Sequence, residues 1–357
     1  MIPKFDFNDI LIQPEIGTEI NSRKKEIDIY YQHNSGKHLP LITAPMDTVV
    51  NGDNSIYYSN LDINICYPRG EGGIKFPEID VPNLRFESVS LKEFEEIIKP
   101  SKSSIDTIAN YSGRYYVCID TANGHLNALK DAIIKAKSLY GDYIVIMAGN
   151  IANPKTFREL SLAGADYIRC GIGNGNACLT TQQTGVGYPV ASLVQECRII
   201  KVEESLKSKI VADGGMKDYS DIIKALALGA DYVMVGSVFN KALESCGETS
   251  WSAFKLPINQ YSLLAKWLFK NKFSLYKNFR GMSTKEVQKK WGKEELTTSE
   301  GVSRYRKVEY TLGGWTHNFQ SYLKTAMSYT NSKTLKDFIG NVQVNQITQN
   351  AYQRFNK

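Results

Sequence analysis

The chain has 357 residues, 42% of them apolar, and carries a modest formal net charge of +6. The longest basic cluster, Ser22-Arg23-Lys24-Lys25, is too short to argue for nucleic acid, and no run approaches the roughly 20 apolar residues of a membrane span. The opening Met1-Ile2-Pro3-Lys4-Phe5-Asp6 shows no apolar signal region, so the expectation is a cytoplasmic protein without a nucleic-acid or membrane partner.

In chain order, short β-branched runs recur near residues 41–44, 63–66, 86–90, 116–120, 144–148, 167–170, 210–213 and 232–235. Between several of them lie amphipathic helical patterns such as LKEFEEIIK (91–99) and HLNALKDAIIKAKSLYG (125–141). Strands alternating with such helices predict a parallel sheet, and eight units in series predict an α/β fold of the closed (β/α)8 TIM-barrel type. LAGADYIRCG (162–171) echoes ALGADYVMVG (227–236), each reading as helix end, left-handed glycine and strand, which predicts strands six and eight. Residues 276–310 are polar and rich in turn formers, a mobile lid or a plain surface excursion. No linker divides the chain, which reads as one domain over 1–357.

In such barrels the active site lies at the carboxyl ends of the strands. Strand one runs into Met46-Asp47, strand four into Asp120, strand five into Asn150, strand seven into Asp213-Gly214-Gly215 and strand eight into Gly236-Ser237. The last two loops either make tight turns or bring backbone N–H groups close to a phosphate, with Asp213 placed to accept from ribose hydroxyls; the mild positive charge suits such a ligand. Strand six opens into GIGNGNACLTTQQTGVGYP (171–189). Its Cys178 is either an inert thiol or a nucleophile, and Thr180 supplies a hydroxyl two residues on. The turn carbonyls can also ring a monovalent cation. The other cysteines, at 66, 118, 170, 197 and 246, form no CxxC pair, and the four histidines, at 33, 38, 125 and 317, lie at no helical spacing, so neither a disulfide framework nor a zinc site is expected.

The cysteine loop, together with PMDTV (45–49), GADYIRCGIG (164–173), ADGGMKDYSDIIKALALGADYVMVGS (212–237), FRGMS (279–283) and SEG (299–301), resembles the IMP dehydrogenase/GMP reductase family. The TGVGYP tail (184–189) and DTANGH (120–125) resemble its reductase branch. The resemblance implies a purine nucleotide monophosphate substrate attacked at C2 by Cys178, with Thr180 and Glu300 as proton-transfer partners. It places Gly214, Gly215, Gly236 and Ser237 on the phosphate, Asp213 on the ribose, and Met46, Gly281, Met282 and Ser283 along the base. Asp120, Asn123, Gly124 and Asn150 would bind the cofactor, NADPH, and the carbonyls of Gly173, Gly175 and Cys178 a K+ ion. A homotetramer and a flap over about 284–310 are also implied.

No regulatory CBS insert fits between Cys66 and Phe86, and KKWGKEELTTSEG (289–301) holds no arginine before Glu300, both unlike the dehydrogenases. Arg280 and the proline of PMDTV are closer to the dehydrogenase form. The implied reaction is NADPH-dependent reductive deamination of GMP to IMP. The alternatives are IMP oxidation to XMP by a dehydrogenase lacking the regulatory domains, a reductase of a modified or deoxy guanine nucleotide, and a catalytically weak nucleotide sensor.

Overall fold

The computed structural model describes residues 3–33, 36–70, 83–99, 114–251, 256–282, 284, 287, 289 and 301–355. Eight parallel strands form its centre: β1 (Leu41–Thr43), β2 (Ile65–Tyr67), β3 (Arg85–Val89), β4 (Tyr115–Asp120), β5 (Ile144–Ile151), β6 (Tyr167–Cys170), β7 (Lys209–Asp213) and β8 (Tyr232–Val235). They pair in sequence order, with β8 also paired to β1. The ring closes between β1 and β2, where the Thr43 amide donates to the Asn64 carbonyl at 3.0 Å and the Asn64 amide to the Leu41 carbonyl at 3.1 Å.

Most of the runs are largely apolar because both faces are buried, whereas β3 (Arg85-Phe86-Glu87-Ser88-Val89) alternates. Along β4, Val117 and Ile119 point outward into the core under the helices, while Cys118 points into the barrel; Ile210 and Ala212 of β7 flank Val211 in the same way. Near the amino ends of the strands, Phe86 meets Tyr116 at 5.4 Å and Tyr167 at 5.1 Å between ring centroids, and Tyr167 meets Tyr232 at 5.6 Å. This aromatic layer fills that end of the barrel and leaves the carboxyl end for a ligand.

The outer helices are α1 (Ser55–Ser59), α2 (Leu91–Ile97), α3 (Asn127–Tyr140), α4 (Pro154–Leu162), α5 (Val190–Glu203), α6 (Tyr219–Leu228) and α7 (Leu312–Tyr329). Ser90 and Glu93 close a capping box on α2, and the Asp218 side chain caps α6. The sequence echo holds in three dimensions: it runs from helix end into β6 and into β8, and Gly164 (φ +102°) and Gly229 (φ +114°) both turn through the left-handed region.

Between β8 and α7 the chain builds an antiparallel sheet, β9 (Thr249–Trp251), β10 (Leu256–Pro257), β11 (Leu275–Arg280) and β12 (Ser303–Lys307), in the order β10-β9-β11-β12. The polar stretch read as a lid or excursion thus contains two paired strands, with Phe279 opposite Arg304 and Lys277 opposite Arg306. Most of the flap expected at 284–310 lies outside the described residues. Among the described residues, no helix is long and apolar enough to cross a membrane.

Candidate active site

A cavity of about 650 Å³ opens over the carboxyl ends of the barrel strands. Its size falls in the range of roughly 300–1,000 Å³ typical of small-molecule sites. The loop leaving β6 forms one wall. Gly173 sits at φ +78°, and a Cβ there would lie 1.7 Å from the Thr181 hydroxyl, so only glycine allows the loop to fold back on itself. That fold delivers Cys178 to the cavity, half-buried, with its thiol donating to the Thr180 hydroxyl at 3.2 Å. The Cys178 amide closes a turn onto the Gly175 carbonyl at 2.9 Å. Its backbone pairs with Gly301, and Val302 bonds on either side, its amide to the Ala177 carbonyl and its carbonyl to the Gly281 amide, both at 3.1 Å. The cysteine loop, the Gly281 turn and the segment from residue 301 therefore meet at the thiol.

Deeper in the barrel, Arg169 of β6 lies between two carboxylates. Its Nη1 donates to Asp120 at 2.7 Å, and its Nε and Nη2 donate to Asp213 at 3.1 and 2.9 Å. Burial opposes the guanidinium charge, and Asp213, Cys118 and Asp120 outweigh it and raise its pKa. Burial likewise would raise the Asp120 carboxyl, but Arg169 and Arg69 hold it below the ordinary carboxylate range. Asn150 donates to the same Asp213 oxygen at 2.7 Å and to the Gly171 carbonyl at 2.8 Å. Asp213 Oδ2 is thus occupied by protein donors.

The opposite end of the cavity is rich in backbone. Gly214 (φ +85°) and Gly215 (φ +89°) follow β7, and Gly236 and Ser237 follow β8. The Ser237 hydroxyl accepts from Asn176 Nδ2 at 2.8 Å. Met46 and Met282 line the apolar part, and their turns are tied together by the ion pair of Asp47 with Arg280, whose Nε lies 3.2 Å from Asp47 Oδ1. Beside this end stands the inserted sheet. The buried Lys277 ammonium donates to the Ser245 carbonyl at 2.5 Å and the Thr249 hydroxyl at 2.8 Å, and burial pushes its pKa down to about 7.

Every described residue of the sequence-derived site lines the cavity except Asn123 and Gly124. After Ala122 the chain turns away: Asn123 Oδ1 accepts from the His125 amide at 3.1 Å, and the Gly124 amide bonds the Asn150 carbonyl at 2.8 Å. Thr121 and Ala122 line the wall in their place. Ser283 and Glu300 lie outside the described residues. Sequence reasoning missed Arg169, Arg69 and Lys92, which also line the cavity. The available signal was a lone charge inside the apolar run of β6. Among the described residues, no group of three His, Cys, Asp or Glu side chains is placed to hold a metal ion.

Fold and cavity together define a (β/α)8 barrel with a thiol and glycine-rich loops at its carboxyl face. Residues 105–355 match the model of the IMP dehydrogenase / GMP reductase domain, and the chain belongs to that family. It is 27% identical to a GMP reductase of Phytophthora infestans, over 99% of this chain and 93% of that protein. A GMP reductase of Caenorhabditis elegans is 27% identical over 97% of this chain and 93% of its own length, and GMP reductase 2 of Homo sapiens 26% over 97% and 95%.

Proposed function

We propose that this protein is a GMP reductase, reducing GMP to IMP and ammonia through a covalent bond to Cys178. The observation that carries the reading is the Cys178 thiol, bonded to Thr180 at 3.2 Å and facing one cavity with the glycine loops of β7 and β8. The near-full-length similarity to GMP reductases supports the same direction of chemistry.

Gly214, Gly215, Gly236 and Ser237 hold the phosphate, Asp213 the ribose through the oxygen that Arg169 and Asn150 leave, and Met46, Gly281, Met282 and Ser283 the base. The Cys178 sulfur adds to C2 of the purine, and ammonia leaves as Thr180 and Glu300 pass a proton to the amino group. Gly301, the residue after Glu300, pairs with Cys178, which supports placing that carboxylate in the relay. The thiolate departs when C2 has been reduced, restoring the enzyme.

NADPH, when bound, supplies the hydride for that reduction. The cavity continues past the thiol to Asp120, Thr121, Ala122, Asn150, Arg69 and Lys92, giving room for the cofactor, with Lys92 as a cation for its phosphates; Asn123 and Gly124, assigned to it by resemblance, follow directly after that wall. The carbonyls of Gly173, Gly175 and Cys178 offer oxygen ligands to a K+ ion, with one lone pair of Gly175 already used by the Cys178 amide. The reading includes one catalytic domain over 1–357 with its flap near 284–310, a homotetramer and a cytoplasmic setting, the last supported by six free cysteines.

The test is the nicotinamide absorbance in the near ultraviolet. A fall with GMP plus NADPH is expected. No fall, with a rise on adding IMP plus NAD+, would overturn the reading in favour of a dehydrogenase.

A further inference from the structure

We propose that Arg306 is a substrate-binding residue, its guanidinium making the cationic contact to the phosphate of the nucleotide; this assignment rests on the nucleotide reading above. The glycine end of the cavity presents backbone N–H groups and a serine hydroxyl, and a counter-charge there would strengthen the hold on a phosphate dianion. The cations on the cavity wall do not supply it. Arg169 is held by Asp120 and Asp213, and Arg69 by Asp120 at 3.4 Å. Lys92 follows β3, four strands around the barrel from the Gly214-Gly215 loop after β7 and so on the far wall.

Arg306 stands behind this end, packed against two residues of the cavity wall rather than lining it. Its Nη1 donates to the carbonyl of Ser237 at 3.3 Å, and its guanidinium lies over the Phe279 ring, 4.6 Å from the centroid. Ser237 and Phe279 both line the cavity. The register of the inserted sheet explains the placement. Directly opposed residues, and residues two apart on one strand, share a face. Lys277, Phe279, Arg304 and Arg306 therefore present one face. Among the described residues Arg306 forms no ion pair. Burial, and then the charge of Arg304, lower its pKa from the usual guanidinium value, so an anion beside it relieves an existing cost. A half-buried guanidinium stacked on an aromatic ring, with nitrogens to spare, is suited to a phosphate oxygen.

The test compares Arg306→Gln with the parent enzyme on GMP and on guanosine, which lacks the phosphate. Calorimetric binding of ribose 5-phosphate serves as a probe free of base chemistry. Losing one charge-assisted hydrogen bond is expected to weaken GMP and ribose 5-phosphate by about ten- to hundredfold, mainly in KM for GMP, and to leave guanosine affinity unchanged. Added salt should weaken GMP binding more in the parent than in the variant. If the glutamine variant melts at a lower temperature, Arg306→Lys keeps the charge and should weaken GMP severalfold, again sparing guanosine. Equal losses on GMP and guanosine would make Arg306 a packing residue and overturn the proposal, as would unchanged GMP affinity. A parent enzyme that binds GMP and ribose 5-phosphate without reducing GMP would sink the reductase reading alone, and the binding arm would still decide the role of Arg306. A parent that binds none of the phosphorylated probes would overturn both.

Discussion

Arg169 in the barrel and Lys277 and Arg306 in the inserted sheet have their positive charge satisfied in opposite ways. Inside the barrel, Arg169 is matched by Asp120 and Asp213, and the three form a charge-matched layer on the cavity wall. In the sheet, Lys277 has carbonyls and a hydroxyl as acceptors, and Arg306 has a carbonyl and an aromatic face. The difference separates two tasks. A neutralised layer fixes shape and holds the loops above it, whereas charge left without a carboxylate remains available to an anionic ligand. The same division places the reacting thiol on a barrel loop and the grip on the phosphate partly outside the barrel.

The sharpest test is at the thiol. Cys178→Ala is expected to cut turnover by about a thousandfold or more while calorimetry still detects GMP. Residual turnover near the parent level would place the chemistry elsewhere.

Next comes the neutralised layer. Arg169→Met leaves Asp213 without its cation and Asp120 with Arg69 alone, and breaking a buried pair in this way costs about 3–5 kcal/mol. Chemical denaturation should report that loss near neutral pH. A variant as stable as the parent would show that the layer is not held by charge.

Arg306→Gln should act more weakly, and on phosphate-bearing ligands only, as set out above. If it destabilised the protein as much as Arg169→Met, the contrast between the two regions would fail.

The smallest effect, read per pH unit, concerns Lys277. Its folded pKa, about 7, lies below the ordinary 10.5, so between those values the unfolded chain binds more protons. Stability from this group therefore rises with pH across that window, by up to about 1.4 kcal/mol per pH unit, and falls away as pH drops toward 7. Lys277→Met should remove that increment from the slope of stability against pH. Parallel slopes for parent and variant would show that the ammonium is not titrating there.

The eight strands were legible because a barrel strand buries both faces, and a run such as Ile144-Val145-Ile146-Met147-Ala148 has few other uses in a chain this long. The cysteine loop was legible because glycines at such density suit places where backbone approaches backbone, as at Gly171 against the Asp213 carbonyl. Asn123 and Gly124 were placed by resemblance, and a turn two residues after Asp120 carries them off the cavity wall.

What the linear chain determined by itself was the order of its elements, the loops at their carboxyl ends and the residue types able to do chemistry there. Those properties are local, set by periodicity and by glycine. Only the tertiary structure decided which charges are satisfied and which stay free. Arg169 meets Asp120 and Asp213 because β4, β6 and β7 close around one interior, and Arg306 reaches Ser237 because an inserted sheet folds back over β8. Electrostatic pairing depends on distance in space, and residues far apart in sequence become neighbours only once the barrel has closed.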